Sequence, residues 1–569
     1  MKKVKKIMSA LLTGALTVNV LAGCGSSGSS TGTTTAAETT TAAPQETTAE
    51  IEAGASSVSD DVTATEEQVE NVVIVLPQAS FDLAPFSSGR ITSMVWYTLY
   101  SSLMCSPYLG APLDELENRM AKTVTKVSDT EYDVELFDYI KDSQGNDITA
   151  EDVVYSFEYA SSIGAYPCLG SYLESISAID DYNVKIVLKA PTIGAIEQLL
   201  DQVTVVDKGW HENASAEERS QNPATTGTYT VESVVSGSNF VLLAKDDYWQ
   251  KDEQYISKID HQTAKRLTYT AITEMAMVSV ALENNEVDMA EIDGTISSNF
   301  VDENGNAKEG YNFFTYEVPR FNVLEYNCSP DSPFNDIYLR QACSYALDSN
   351  AIMEAAGVAL GMGTVCHDYG NAAGGGYNTE WDSEDYYDYN LEKAKELMAQ
   401  SQYADGVDVH LLFAISTAPN VAIVIQAQLA EIGVNVVIDS VEQALYDTMV
   451  LDSTQWDMAT RLPSMSDFLT SGWASRFDEN VFPESRTGNF VDDDKLQELL
   501  KEACDTQDPE AIEAFHDYLK EQCYAIGLYT ANKCFITQEG VLSNGGTYAG
   551  NSIFNGVAYS TDYVSAANQ

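Results

Sequence analysis

Residues 319 to 348 read P-R-F-N-V-L-E-Y-N-C-S-P-D-S-P-F-N-D-I-Y-L-R-Q-A-C-S-Y-A-L-D, from Pro319 to Asp348. Phe321 to Tyr326 is β-rich and has the length of one strand. Pro330 and Pro333 exclude a helix until Asn335 or Asp336 can cap one. From Ile337 onward the apolar residues Ile337, Leu339, Ala342, Cys343, Ala346 and Leu347 fall close to helical spacing, with Arg340 on the other face. The stretch is therefore strand, proline turn and capped helix, an α/β module.

P-F-N-D-x-x-x-R-Q-A-x-x-x-A-L-D resembles the helix entry of the extracytoplasmic solute-binding proteins of ABC importers, family 5. The resemblance implies an α/β, two-lobed periplasmic-binding-protein-like fold with mixed sheets, two hinge crossings and an extra subdomain in lobe one. In that family the strand quoted above is the first crossing between the lobes. Lobe one is then expected over 72–318, with an inserted subdomain at about 106–224. Lobe two covers 319–527, and 528–569 return to lobe one.

Further pieces occur in the family's order. Val72-Val-Ile-Val-Leu76 is a β-branched apolar run suited to a buried strand. Tyr132, Val134 and Leu136 alternate as on a half-buried strand, and Gly145-Asn146 suits a bend. Thr149-Ala-Glu-Asp-Val153 resembles the family's T-A-E-D-V helix start. Thr149 is placed as the cap and Asp152 as its capping-box partner, which explains the paired carboxylates Glu151 and Asp152 better than acid-base chemistry does. Met277, Val280 and Ala281 mark the apolar face of a helix over 273–284. In lobe two, Asn390 caps a helix from Leu391, and Pro419 to Ile432 is a helix ended by Gly433 before a strand at Val434. Such units favour a mostly parallel sheet. Ile526 to Thr530 resembles the strand returning to lobe one.

The chain has 569 residues, too many for one core, and a formal net charge of -56. Nucleic acid is thereby a poor partner, and the long-range field disfavours anionic ligands unless local residues override it. At the N-terminus, Lys2, Lys3, Lys5 and Lys6 precede an apolar stretch ending in Leu21-Ala22-Gly23-Cys24. This reads as a signal peptide over 1–23 and resembles a lipobox, which implies lipidation of Cys24. Residues 24–71 are Ser, Gly, Thr and Ala-rich, a tether reaching roughly 35 to 40 Å. The expected location is the extracytoplasmic face of a bacterial cell membrane, held by the lipid.

The nine cysteines show no C-x-x-C, and the five histidines are scattered, so no metal or cofactor is indicated. Asp302, Asn304 and Asn306 imitate the start of a calcium loop, but Ala307 and Phe313 replace its glycine and final glutamate. No G-x-S-x-G, P-loop or H-E-x-x-H is present, which argues against an enzyme. The resemblance implies a ligand site in the cleft. Asp467 would hold the α-ammonium of a peptide, and Ser466, Phe81, Asp82, Asn327 and Asn489 would line the cleft. The expected partners are a small solute, chiefly an oligopeptide or dipeptide, and ABC permease subunits, with the protein acting as a monomer. A receptor of the same fold for an oligosaccharide or nickel chelate, or a signalling lipoprotein, is the alternative.

Overall fold

The computed structural model describes residues 63–568, apart from 79–80, 88–92, 416–418, 466–467, 480–489, 544–546, 549–550 and 553–555. The expected signal peptide, Cys24 and the tether up to residue 62 lie outside the described residues, as do Ser466, Asp467 and Asn489, whereas residues 63–71, expected in the tether, are seated on lobe one, Val69 bridging Ala264.

Lobe one is organised by Val72–Leu76, buried along its whole length and paired in parallel with Arg266–Ala271 on one side and Met289–Glu291 on the other. Its β-branched residues fill both faces of a seven-stranded sheet. The inserted subdomain is a separate antiparallel sheet of four strands, Ala121–Lys126, Glu131–Leu136, Asn183–Leu188 and Leu173–Asp180, in that spatial order. Helix Ala150–Ser162 starts at the expected capping box, where the Thr149 backbone N–H and hydroxyl both donate to Asp152 Oδ2, at 2.8 and 2.9 Å. Asp302 closes a polar turn by accepting the N–H groups of Asn304 and Asn306.

Lobe two is a six-stranded sheet in the order Gly363–Val365, Ala525–Ala531, Asn322–Tyr326, Met458–Arg461, Val407–Ala414, Val434–Val441. Only Val407–Ala414 with its two neighbours is parallel, and the other pairings are antiparallel, so the sheet is mixed rather than mostly parallel. The cause lies in the hinge. Asn322–Tyr326 leads away from lobe one and Ala525–Ala531 leads back to it, so these adjacent strands must oppose each other.

The return crossing differs from expectation. Ala525–Ala531 pairs within the lobe-two sheet, and Lys533–Gln538 pairs with Met289–Glu291 and Tyr311–Tyr316 in lobe one. The chain therefore crosses at Asn532, not at 528, and the outward crossing is 317–321. Asn371 ties the two crossings together, its Nδ2 donating to Val318 O at 2.8 Å and to Thr530 Oγ1 at 3.0 Å.

Two side-chain assignments are corrected. Arg340 is buried, donating to Phe334 O and to Gln522 O, so it fastens the proline turn to the end of helix Pro509–Gln522. In helix Met275–Glu283 the core face is Val278, Ala281 and Leu282, whereas Met277 and Val280 are exposed. The starting residue of an apolar helix is ambiguous when nearly every position is apolar.

Candidate functional site

The site grows from Glu325, which lies on the outgoing hinge strand with no exposed side-chain surface. A buried carboxylate must be paired and hydrogen-bonded. Arg476 Nε donates to its two oxygens at 2.9 and 2.8 Å, Arg476 Nη2 lies 2.6 Å from Oε2, and the Tyr369 hydroxyl donates to Oε1 at 2.8 Å. A second guanidinium, Arg461, stands 3.7 Å away through Nε. Burial alone would raise the Glu325 carboxyl, but the charges of Arg476 and then Arg461 outweigh it and hold the group below the usual carboxylate range.

Two guanidiniums thus face Glu325, with the charge of Asp447 acting on the second as well. Arg461 is the more loosely held of the two. Its Nη1 is buried and has no hydrogen-bond partner among the described residues. It borders a cavity of about 310 Å³ whose other walls include Val323, Phe413, Val421, Tyr446 and Leu528. The cavity opens at the carboxyl ends of Val407–Ala414 and Met458–Arg461, where parallel strands of α/β sheets generally present ligands.

The loop after Arg461 runs back along the hinge. Met465 N donates to Pro319 O at 2.9 Å, and Ser464 bridges Arg320. It then delivers Phe468 to lobe one. A Cβ built on Gly194 would lie 2.5 Å from Phe468 Cε2, and one on Gly110 would lie 3.0 Å from Cε1. Both glycines have φ of +77°, so the ring rests on two stretches of backbone that only glycine readily forms. The lobes therefore touch at the hinge and again through Phe468.

A two-lobed fold with two adjacent crossings is the architecture expected above. The model of the bacterial extracellular solute-binding proteins, family 5 Middle, matches residues 115–479. The chain belongs to this family. Among family 5 relatives, the dipeptide-binding protein of Escherichia coli is 25% identical over 53% of this chain and 57% of its own length. The oligopeptide-binding protein AppA of Bacillus subtilis is 24% identical over 60% of this chain and 62% of its own. The chain thus matches under two thirds of the length of each. The structure of HbpA2 from Haemophilus parasuis superposes with a TM-score of 0.71 at 20% identity, covering 86% of this chain and 100% of that one.

Within this family 5 chain, the described candidates do not converge. Asn327 is buried, its Nδ2 donating to Ser453 O and Trp456 O and its Oδ1 accepting from Ser329. It stands beyond Tyr326, which pairs with Met458, while the cavity lies at the Val323 and Arg461 end, roughly 13 Å along the strand. It holds a loop at the other end of the strand from Arg461, where it borders a separate cavity of about 600 Å³ together with Asp331, His410 and Asp457. Asp82 is engaged by its own turn, accepting from Ala84 N and the Ser87 hydroxyl, and Phe81 packs edge-on against Phe240.

Glu325, Arg461, Arg476, Asn371 and Phe468 were not singled out from the sequence. A usable signal existed for one of them. Glu325 sits on the same strand face as Val323 within an apolar run, and a carboxylate at such a position requires buried cations elsewhere.

Proposed function

We propose that this family 5 protein is the extracytoplasmic receptor of an ABC importer, capturing short peptides between its lobes and presenting the closed form to the permease. The reading is carried by the Arg461 guanidinium, whose Nη1 has no hydrogen-bond partner among the described residues, beside a cavity at the carboxyl ends of the lobe-two strands. A guanidinium with free donors suits a carboxylate, the one anionic group that every linear peptide carries. Enclosure between lobes removes the ligand from water, and the closed shape becomes the signal for docking. Kinship with dipeptide- and oligopeptide-binding proteins supports the peptide class. The protein works as a monomer, held to the membrane by lipid on Cys24 through the tether that follows it, and it performs no catalysis.

Purification of the full chain without added ligand, denaturation and mass spectrometry of the released small molecules tests the ligand class. A ladder of short peptides is expected. A released sugar or metal chelate would overturn the peptide reading while leaving the fold in place. The anchor is tested by Cys24→Ser, which should move the protein from the membrane fraction to the medium, and continued membrane retention would overturn it.

A further inference from the structure

We propose that residues 357–362 form a fixed fulcrum, a seat in lobe one on which lobe two turns, so that the Phe468 contact makes and breaks while the fulcrum contact stays made. The inference rests on the reading that the lobes move about their crossings, and it adds the point about which they turn.

The segment is Gly357-Val-Ala-Leu-Gly-Met362, between helix Ser349–Ala355 and strand Gly363–Val365, both of lobe two. Its side chains nevertheless enter lobe one. Met362 is buried in the apolar cluster of Ile292, Ile296, Phe300 and Phe313, and Val358 and Ala359 pack against the same cluster. Val358 also packs against the lobe-two cluster of Leu347 and Ile352, so one residue joins the two cores.

The seat is made of backbone. A Cβ built on Gly294 of lobe one would lie 1.9 Å from Gly357 O, and one on Gly363 would lie 2.5 Å from Thr530 O. Gly357 and Gly361 have φ of +83° and +78°, conformations that glycine adopts without strain. Gly361 faces the Asp302 turn, an added Cβ coming 3.9 Å from Gly305 Cα, so the turn that imitates a calcium loop supports the seat. Side chains accommodate sliding by changing rotamer, but backbone pressed on backbone has no such freedom. Translation across this contact is therefore blocked, and rotation about it remains.

The seat also lies where a rotation displaces atoms least. Asn532 N, at the return crossing, donates to Met362 O at 2.8 Å, and the Thr364 hydroxyl donates to Glu317 Oε1, at the start of the outgoing crossing, at 2.8 Å. Phe468 is placed differently. Its supports Gly110 and Gly194 adjoin Ala111 and Ala195, which belong to the cluster of Val72, Ile74 and Leu76, whereas Met362 belongs to that of Val73 and Val75. Alternate residues of a strand face opposite sides of its sheet, so the two contacts serve opposite faces of the lobe-one sheet. A turn about the fulcrum thus separates Phe468 from its glycines without unseating Met362.

The test uses the full chain with Cys24, Cys328 and Cys504 replaced by serine, the other described cysteines being buried. Spin labels go on cysteines introduced at exposed positions, Glu303→Cys with Leu360→Cys across the fulcrum, and Ile193→Cys, beside Gly194, with Leu445→Cys in lobe two. Phe468→Ala should lengthen and broaden the 193–445 distance distribution while the dipolar broadening between 303 and 360 stays that of the parent. Gly294→Val, with circular dichroism confirming the fold, should instead lose most of the 303–360 broadening. Loss of that broadening in Phe468→Ala, or its retention in folded Gly294→Val, would overturn the fulcrum. A 193–445 distance that responds to Phe468→Ala but not to an equimolar tripeptide library would overturn the proposed function alone. Unchanged 193–445 distances in every sample would overturn lobe motion, and the proposed function and the fulcrum with it.

Discussion

Each lobe contains a buried arginine–carboxylate cluster, and the two are built differently. In lobe one, Arg119 donates to both oxygens of Asp260, at 3.1 and 2.8 Å, and also to Tyr100 O and Tyr97 O, while Ser257 donates to Asp260 as well. One cation meets one anion there, with the fork fully used. In lobe two, Arg476 takes Glu325 through short bonds, while Arg461 stands 3.7 Å from it and keeps its Nη1 without a hydrogen-bond partner among the described residues. A completed cluster reads as framework, whereas a cluster with an unused guanidinium donor at a cavity edge reads as one able to take a further partner.

Substitution breaks or sharpens this contrast directly. Arg119→Met leaves Asp260 buried without its partner and should destabilise the protein by about 3 to 5 kcal/mol in urea unfolding. Arg461→Met leaves Glu325 with Arg476 and should change ligand-free stability by less than about 1 kcal/mol, while peptide affinity falls at least tenfold. Equal destabilisation by the two changes would make Arg461 a framework residue and remove the contrast.

The lobes also differ in their buried histidines, with opposite signs. His211 in lobe one lies among Tyr155, Tyr159 and Phe86, and burial, then the nearby Arg219, pushes its pKa down to about 4. His516 in lobe two is stacked on Trp381 and lies 2.9 Å from Asp368. Burial opposes its protonation, but Asp368 reverses the balance and the pKa rises. The folded state of lobe one binds the His211 proton less readily than the unfolded chain does. Its contribution is complete above pH 6.5 and is lost as pH falls towards 4, by up to about 3 kcal/mol. For His516 the contribution is complete below pH 6.5 and is lost as pH rises through the raised value. Thermal unfolding of His211→Phe should thus lose part of the acid-limb slope, and His516→Gln part of the alkaline one. Identical pH profiles for both variants would refute the opposition.

Much of the framework was legible because its signals are local. Val72–Leu76 announces a buried strand by β-branching, and Thr149 with Asp152 announces a helix start across three residues. Asp336 does cap helix Ile337–Ala346, accepting from Tyr338 N. The site was less legible because its parts meet only through tertiary structure. Glu325 and Arg476 are 151 residues apart. Gly110 and Gly194 acquire meaning only once Phe468 lies on them. The position of the return crossing was hidden for another reason, since Ala525–Ala531 and Lys533–Gln538 follow one another with only Asn532 between them, and periodicity does not say which sheet a strand joins.

At the cleft, lobe one offers backbone and lobe two offers side chains. Phe468→Ala should therefore leave stability nearly unchanged while lowering the closed population, so that peptide affinity drops about tenfold through faster release. Gly194→Ala approaches the same contact from the other side, with a 2.5 Å clash against the ring. It should reproduce the loss of affinity in calorimetry. Unaltered affinity in both variants would mean that the ring packs without contributing to closure.

The smallest expected difference concerns two helix caps that look alike in sequence. Asn390 in lobe two accepts the Lys393 N–H at 3.1 Å, an ordinary capping bond, so Asn390→Ala should cost about 1 kcal/mol. Asp152 in lobe one accepts the Thr149 N–H at one oxygen and the Lys208 N–H, at 2.8 Å, through the other. It therefore closes its own helix and also holds the start of helix Lys208–Asn213 against it. Asp152→Ala removes these two bonds and that of the Thr149 hydroxyl, at a buried position. Its cost should exceed that of Asn390→Ala by about 1 kcal/mol. Equal midpoints in urea would show that the Lys208 N–H finds another acceptor, and that the subdomain is stapled less tightly than its hydrogen bonds indicate.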